Sequence, residues 1–352
     1  MTRLSVQYRP RTTRSLAIVT ATRESSSALS LAVAIERLRM APDRFHEPVL
    51  ASEIVELLSS LPEGVVIDAT LGGAGHSEAL LAAAPHLRVL GIDRDPTAII
   101  EARRRLAPFT SRALVVKATF AEIDDVLSRE ATFMAGDPVV GVLMDLGVSS
   151  HQLDEPSRGF SFRADAPLDM RMDPTSGESA ADYLARVDTH ELARLLRNHG
   201  EGRFAGSIAK SIVDRRPLTT SELSEAVERA VPMAARRRGH VATRVFQALR
   251  VEVNAEEEQL SVGLNAALDA LSVGGVFAVI SYHSGEDRVV KSFFAEQQSG
   301  GCRCSLELGC VCGAISRVQV FKASAQLASA GEIALNPRSR SARLRIARKI
   351  AP

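Results

Sequence analysis

Four short, almost wholly apolar segments punctuate the first half of this chain, with helical stretches between them. They are Val65-Val66-Ile67, Arg88 to Ile92, Ala113 to Val116 and Val139 to Leu146. A strand wetted on one face alternates polar and apolar residues, whereas a continuous apolar run belongs to a strand covered on both faces. Strands of that kind, each separated from the next by a helix, imply a parallel, doubly wound α/β sheet. The helices carry their own signals. Val49 to Leu58 and Ser77 to Ala84 have helical spacing, and Asp95 can cap a third helix with Pro96 at its first position.

The alternation then stops. Leu153 to Gly239 contains no convincing strand. Gly159 to Asp173 reads as a charged loop, helical spacing follows through Leu192, Ile208 and Val227, and Thr219 with Glu222 has the pattern of a capping box. The sheet pattern resumes with one long helix through Glu252 to Leu271 and a strand at Val276 to Ser281. A helix capped by Ser284, with Asp287 at the reciprocal position, comes next, and late strands lie near Val318 to Phe321 and Arg343 to Ala347. This order describes a main domain over 42–152 and 240–352, with a helical module inserted over 153–239. Residues 1–41 are expected to be a disordered extension outside the fold. Their arginines and the cluster Ser25-Ser26-Ser27 suit a transit peptide, and suit somewhat better a stretch upstream of a start at Met40.

Composition narrows the function classes. Of 352 residues 45% are apolar and 24% charged, an ordinary globular balance, and no apolar run approaches a membrane span. A net charge of +1 gives no global field for nucleic acid, although one basic face would suffice. Tryptophan is absent and aromatics make up 4%, which disfavours unspecific single-strand binding on rows of stacked rings. Four cysteines without an export signal fit a reducing, cytoplasmic setting.

The segment from Val66 to His76 is strand, glycine turn and helix start, which lets backbone approach a ligand beside an electropositive helix end. Alone it is equally well a tight turn that binds nothing. Asp93, closing the second strand, lies where a nucleoside's ribose hydroxyls would be. Gly73 and Gly75 are followed by Glu78 and not by a third small residue, which disfavours pyrophosphate. Asp68 ahead of the glycines suits a cationic nucleoside. The cofactor expected is S-adenosylmethionine rather than a dinucleotide. Phe120 follows the third strand, where it is an adenine neighbour or a core residue with equal weight.

The fourth strand runs into Asp145-Leu146-Gly147-Val148-Ser149, beyond the carboxyl end of the sheet where ligands of such folds gather. Enzymes that methylate exocyclic amines often place an acid or amide, two prolines and an aromatic there. Asp145 fits the first position and the next residues do not fit the rest. A base-stacking ring must come from elsewhere, with Phe160 and Phe162 as candidates that equally suit core packing. Asp145 and Ser149 are the expected catalytic residues, orienting the amine.

Together these motifs resemble the bacterial RsmH (MraW) family, which methylates N4 of a cytidine in the decoding centre of small-subunit rRNA. The matching stretches include His46 to Leu50, Asp68 to His76, Gly91 to Pro96, Asp145 to Leu153 and Arg158 to Phe162. They continue through Pro167 to Asp173, Asn198 to Glu201, Ala242 to Arg250, Ser281 to Ser284 and Asn336 to Ser341, so the likeness spans Phe45 to Lys349. It implies a Rossmann-like class I S-adenosylmethionine methyltransferase domain with an inserted helical domain that helps hold RNA. It also implies cofactor contacts at Ala74, Gly75, His76, Asp93, Phe120, Asp145 and Gln152, to which the glycine turn adds Gly73. The partner implied is small-subunit rRNA, with homodimerisation left open. Gly285 stands where many relatives carry a larger apolar residue.

Other constellations are open. Cys302, Cys304, Cys310 and Cys312 form two Cys-x-Cys pairs, tighter than the usual spacing of structural zinc ligands, and no metal site is assigned. Arg236-Arg237-Arg238-Gly239-His240, with Arg244 and Arg250, suggests phosphate contact, and Arg338, Arg340, Arg343 and Arg345 suit phosphate or solvent equally. Asp169, Arg171 and Asp173 read as an internal ion network or as substrate contacts. Competing functions are methylation of DNA, protein or a small molecule, and a non-catalytic RNA-binding assembly factor.

Overall fold

The structure, a computed structural model, describes residues 48–233, 241–302, 304 and 311–352. The expected extension, His46 and Glu47, the run 236–240 and Cys310 lie outside the described residues.

Strands β1 (Gly64–Asp68), β2 (Leu87–Asp93), β3 (Ala113–Lys117), β4 (Val139–Asp145) and β5 (Val276–Ser281) pair in parallel in the order β3-β2-β1-β4-β5. Strand β8 (Arg343–Lys349) runs antiparallel beside β5, and β6 (Val318–Val320) and β7 (Gln326–Leu327) pair with β8. The expected strands are all present. The two-residue β7, too short for a periodicity, was not foreseen.

Burial on both faces explains the apolar runs. Val65, Ile67, Leu90, Ile92, Val142 and Met144 face one side of the sheet. Val66, Val89, Val140 and Leu143 face the other. Helices α1 (Ala51–Ser59), α2 (Gly75–Ala83) and α3 (Pro96–Leu106) cover the second face. Asp95 caps α3 by accepting from the Thr97 amide at 2.9 Å, with Pro96 at its first turn. Between β3 and β4 lie α4 (Ile123–Arg129) and α5 (Ala131–Met134), and after β4 the short α6 (Ser150–Asp154).

A separate apolar core belongs to α7 (Ala180–Arg186), α8 (Thr189–Asn198), α9 (Ala205–Arg215) and α10 (Thr220–Ala230). Among the described residues the only ladder contact of this module is a lone bridge, Pro167 to Thr219. Thr219 and Glu222 form the expected capping box on α10. Helix α11 (Val241–Val253) also places Val245, Phe246 and Leu249 in this core, beyond the boundary expected at residue 240.

Two expectations are corrected. The long helix through Glu252 to Leu271 is broken, and α12 (Glu256–Ala270) starts anew after Ala255, whose φ is 50°. The break is held by buried Asn254. Its Oδ1 accepts from the Met172 amide at 2.7 Å, and its Nδ2 donates to the Met170 carbonyl at 2.8 Å. Helix α13 (Ser284–Ser299) is capped by His283 with Glu286 at the reciprocal position, not by Ser284 with Asp287. Asp287 instead pairs with Arg345 at 2.8 Å. The chain closes through α14 (Ala330–Leu335) into β8.

Candidate active site

The strand order reverses between β1 and β4, and in such sheets a crevice opens at the carboxyl ends of the strands there. A cavity of about 800 Å³ occupies this position. Its lining includes Gly72, Gly75, His76, Asp93, Phe120 and Asp145. Gln152 and Ser149 also line it, so most of the expected contacts converge on one space. Gly73 and Ala74 are not among the lining residues. Ala74 is fully buried with φ 63°, so it shapes the turn into α2.

Each carboxyl is positioned by the end of its strand. Asp93 accepts from the Gly72 amide at 2.7 Å and the Asp95 amide at 2.8 Å, which ties the glycine turn to β2. Burial nevertheless pushes its carboxyl up to about 6. Asp68 accepts from the Ser77 hydroxyl at 2.6 Å, while its buried Oδ1 has no hydrogen-bond partner, and burial pushes it up to about 6. Asp145 is anchored through its own amide, which donates to the Thr70 hydroxyl at 2.5 Å. Burial, with the charge of Glu286 adding to it, pushes its carboxyl up to about 7. His76 bonds the Val49 carbonyl through Nε2 at 2.8 Å, its Nδ1 lies 3.9 Å from Asp145, and burial lowers its pKa.

An aromatic side chain from the neighbouring strand meets Asp145. The Tyr282 hydroxyl, just past β5, donates to Asp145 Oδ1 at 2.7 Å. Gly147 has φ 94°, and a Cβ there would sit 3.5 Å from the Tyr282 ring, so the loop lies flat against it. No role was assigned to Tyr282 from sequence. The available signal was its place at the carboxyl end of a strand expected next to β4.

The remaining expectations divide. Ser149 Oγ accepts from the Gln152 amide at 3.2 Å, and Gln152 Oε1 accepts from the Ser149 amide at 2.9 Å, so the two cap α6 reciprocally. Gln152 Nε2 donates to Asp95 at 2.9 Å. Phe160 and Phe162 both line the cavity; Phe160 is also core of the helical module, whereas Phe162 is 38% exposed and meets Phe246 edge-on at 5.1 Å. Phe120 packs against Gly263 of α12.

Arg250 is not a surface phosphate contact: it pairs with Glu256 at 2.8 Å and Glu286 at 3.4 Å. Arg244 pairs with buried Glu201 at 2.6 Å, Arg338 with Asp154 at 2.6 Å, and Arg345 with Asp287. Arg163 and Arg340 line the cavity and are exposed. In the charged loop Arg171 pairs with Asp169 at 2.7 Å and Asp173 with Lys117 at 2.9 Å, an internal network.

The donor set suits a cationic nucleoside. Asp93 offers acceptors for a ribose diol, Phe120 and Leu260 an apolar wall, and Asp145 negative charge that burial leaves undersatisfied. A polyanionic phosphate would meet the carboxyls of Asp93 and Asp145, which both line the cavity.

A model of the MraW methylase family matches residues 43–350. Over 312 residues the chain is 47% identical to ribosomal RNA small subunit methyltransferase H of Heliobacterium modesticaldum, covering 87% of this chain and 98% of that one. It is 50% identical over 318 residues to the protein of the same name from Beutenbergia cavernae, covering 87% and 92%.

Proposed function

The chain belongs to the MraW methylase family, and from that premise we propose how its cavity acts. It is an S-adenosylmethionine-dependent methyltransferase of small-subunit rRNA, and the acceptor is the exocyclic N4 of a cytidine in the decoding region. The observation that carries the site assignment is the Asp145–Tyr282 pair at the ends of β4 and β5, facing the glycine turn across one cavity.

S-adenosylmethionine supplies a methyl group on a cationic sulfur, transferred as the amine lone pair forms the N–C bond and the S–C bond breaks. The protein must first make that lone pair available, because in cytosine it is delocalised into the ring. Tyr282 occupies Oδ1 of Asp145, which leaves Oδ2 to accept an N4–H and turn the lone pair out of conjugation. Asp93 holds the ribose, and Phe120 the adenine. After transfer the amine is cationic and acidic, and Asp145, with its carboxyl poised near 7, takes the proton before passing it to solvent. Most of the acceleration comes from positioning. Ser149 shapes the α6 entrance, its hydroxyl engaged in the cap.

Phe162 at the mouth is the stacking ring for the extruded base, and exposed Arg163 and Arg340 take the flanking phosphates. The helical module supplies the wall that bears the RNA. Among the described residues no helix is long and apolar enough to cross a membrane, and the reading places the enzyme in the cytoplasm with its substrate.

The test incubates the protein and labelled cofactor with small subunits, free rRNA and DNA, then identifies the modified nucleoside. Label in N4-methylcytidine of small-subunit rRNA is expected. Asp145→Asn should cost about 100-fold in turnover, as loss of an orienting acid–base group does. Label in DNA, or near-full turnover by the variant, would overturn the reading.

A further inference from the structure

Away from the cavity, soft ligands gather where α13 ends. The Sγ atoms of Cys302, Cys304 and Cys312 all lie within 4.8 Å of one another. None of the three lines the active-site cavity. We propose that these three thiols form a structural zinc site that staples the neck of the loop between α13 and β6. The inference is independent of the methyl-transfer reading.

Three observations carry it. The first is distance. Zinc–thiolate bonds of about 2.3 Å in a tetrahedron place sulfurs roughly 3.8 Å apart, so the cluster needs to contract by about an ångström at most. The second is the surroundings of Cys304. The Val311 amide donates to its sulfur, and the thiols of Cys312 and Cys302 bond it too. Amide-to-sulfur bonds of this kind favour the thiolate that a metal requires.

The third is the fixed neck. The Gly301 amide donates to Glu296 at 3.0 Å and the Cys302 amide to Ser299 at 3.2 Å, which binds the outgoing strand to the end of α13. The returning strand is held by the Arg317 amide on the Gln297 carbonyl at 2.9 Å. Gly300 has φ 63°, and a Cβ there would sit 2.5 Å from the Ile315 carbonyl oxygen, so the two limbs touch. Cys312 therefore reaches Cys302 and Cys304 from the opposite limb. The short Cys-x-Cys spacing that argues against metal in the sequence is not the relevant distance: the ligands pair across the loop.

Binding releases the thiol protons and changes no oxidation state. A disulfide would consume two of the same thiols and would need an oxidant; no disulfide joins the described cysteines. Zinc is favoured over magnesium or calcium because the ligands are sulfur.

The full-length chain, purified under reducing conditions without chelator, is measured for zinc by mass spectrometry. A mercurial is then titrated against the thiols while an indicator dye follows zinc release. About one zinc per chain is expected, released in step with thiol modification. A Cys302→Ser, Cys304→Ser double variant should retain less than about a tenth of that zinc, with cofactor affinity unchanged within about twofold. Because the wild-type release experiment needs no variant, misfolding of the variant does not decide the matter. Reloading the metal-free wild type with cobalt should give a sulfur-to-metal charge-transfer band. The proposal is overturned by wild-type protein that takes up no zinc with its thiols reduced. It is also overturned by zinc content that is equal in the folded double variant, or by a disulfide among these cysteines in reduced preparations.

Discussion

Replacing Arg158 by methionine tests how the two cores are held together. Asp95 is 1% exposed, and its Oδ2 accepts from Arg158 Nη1 at 2.8 Å and Gln152 Nε2 at 2.9 Å. The other guanidinium nitrogen donates to the Arg171 and Met172 carbonyls at 3.0 and 2.9 Å. One side chain thus joins the cap of α3, the short α6 and the loop leading into the helical module. Arg158→Met keeps the apolar stem and removes the charge, leaving a buried carboxylate with its Thr97 and Gln152 amide partners but no cation. Breaking such a pair costs about 3–5 kcal/mol. At about 2–4 °C per kcal/mol for a chain of this size, the melting temperature should fall by roughly 6–20 °C. The chain has no tryptophan, so far-ultraviolet circular dichroism is the suitable probe. Asp95→Asn combined with Arg158→Met removes the orphaned charge while keeping a capping acceptor, and should recover at least about 1 kcal/mol over the single variant. A fall below about 3 °C, or a double variant no more stable than the single, would refute the reasoning.

Four further outcomes follow from the cavity. Asp145, with its carboxyl pushed up to about 7, is largely neutral at pH 6 and charged at pH 8, so affinity for S-adenosylmethionine should tighten about tenfold over that interval. S-adenosylhomocysteine, with a neutral sulfur, should show a flatter profile by calorimetry, and equal slopes would remove Asp145 from the sulfonium. The unliganded protein should lose stability from about pH 4 to pH 7. Unfolded Asp68, Asp93 and Asp145 ionise near 3.8, while the folded carboxyls keep their protons to about 6 or 7, and melting curves across this range check the sign. Tyr282→Phe removes a hydrogen bond that lowers the Asp145 pKa, so the acidic limb of the pH–rate profile should move to higher pH, and the pH at which cofactor affinity tightens should move with it. Gly263→Ala puts a methyl into the Phe120 ring and should weaken cofactor binding about tenfold, from overpacking of about 1–3 kcal/mol; unchanged affinity would detach Phe120 from the site.

What the sequence made legible depended on how local the cause was. The five parallel strands are apolar because helices cover both faces, and the Asp95-Pro96 and Thr219–Glu222 starts are complete within four residues. The helix break at Asn254 was hidden because its partners, Met170 and Met172, are more than 80 residues away in the chain. Without them, Glu252 to Leu271 is simply a good helix. The cap on α13 was displaced by one residue because Ser284 is the commoner capping type, whereas Glu286 also bonds the Tyr282 amide and so draws the start back to His283. Arg244 reads as a phosphate contact because its charge is visible in the sequence and the acid that pairs with it, Glu201, is 43 residues away, whereas the nearer partner of Arg250, Glu256, is only six residues on. At the candidate site, Asp93 and Asp145 stand at the ends of β2 and β4 as expected, because strand ends are predictable. Tyr282 was missed because its partnership with Asp145 crosses strands.

The same placement explains why the cavity should prefer a cation. Asp68, Asp93 and Asp145 end β1, β2 and β4, which are adjacent in the sheet; each lies in surroundings that raise its pKa, and Asp93 and Asp145 line the cavity. Hydrogen bonds from Ser77, the Gly72 amide and Tyr282 only partly offset the burial. Without a ligand the carboxyls therefore hold protons or carry uncompensated charge, and either state costs free energy. A bound cation relieves that cost, and the transfer of its charge to the departing amine withdraws the relief as the reaction completes. The neutral thioether product should then be held less tightly than the substrate wherever Asp145 is ionised. Product release and the charge state of Asp145 are thereby linked: above pH 7 the ratio of the two dissociation constants should widen in favour of S-adenosylmethionine, and in Asp145→Asn it should become independent of pH in that range.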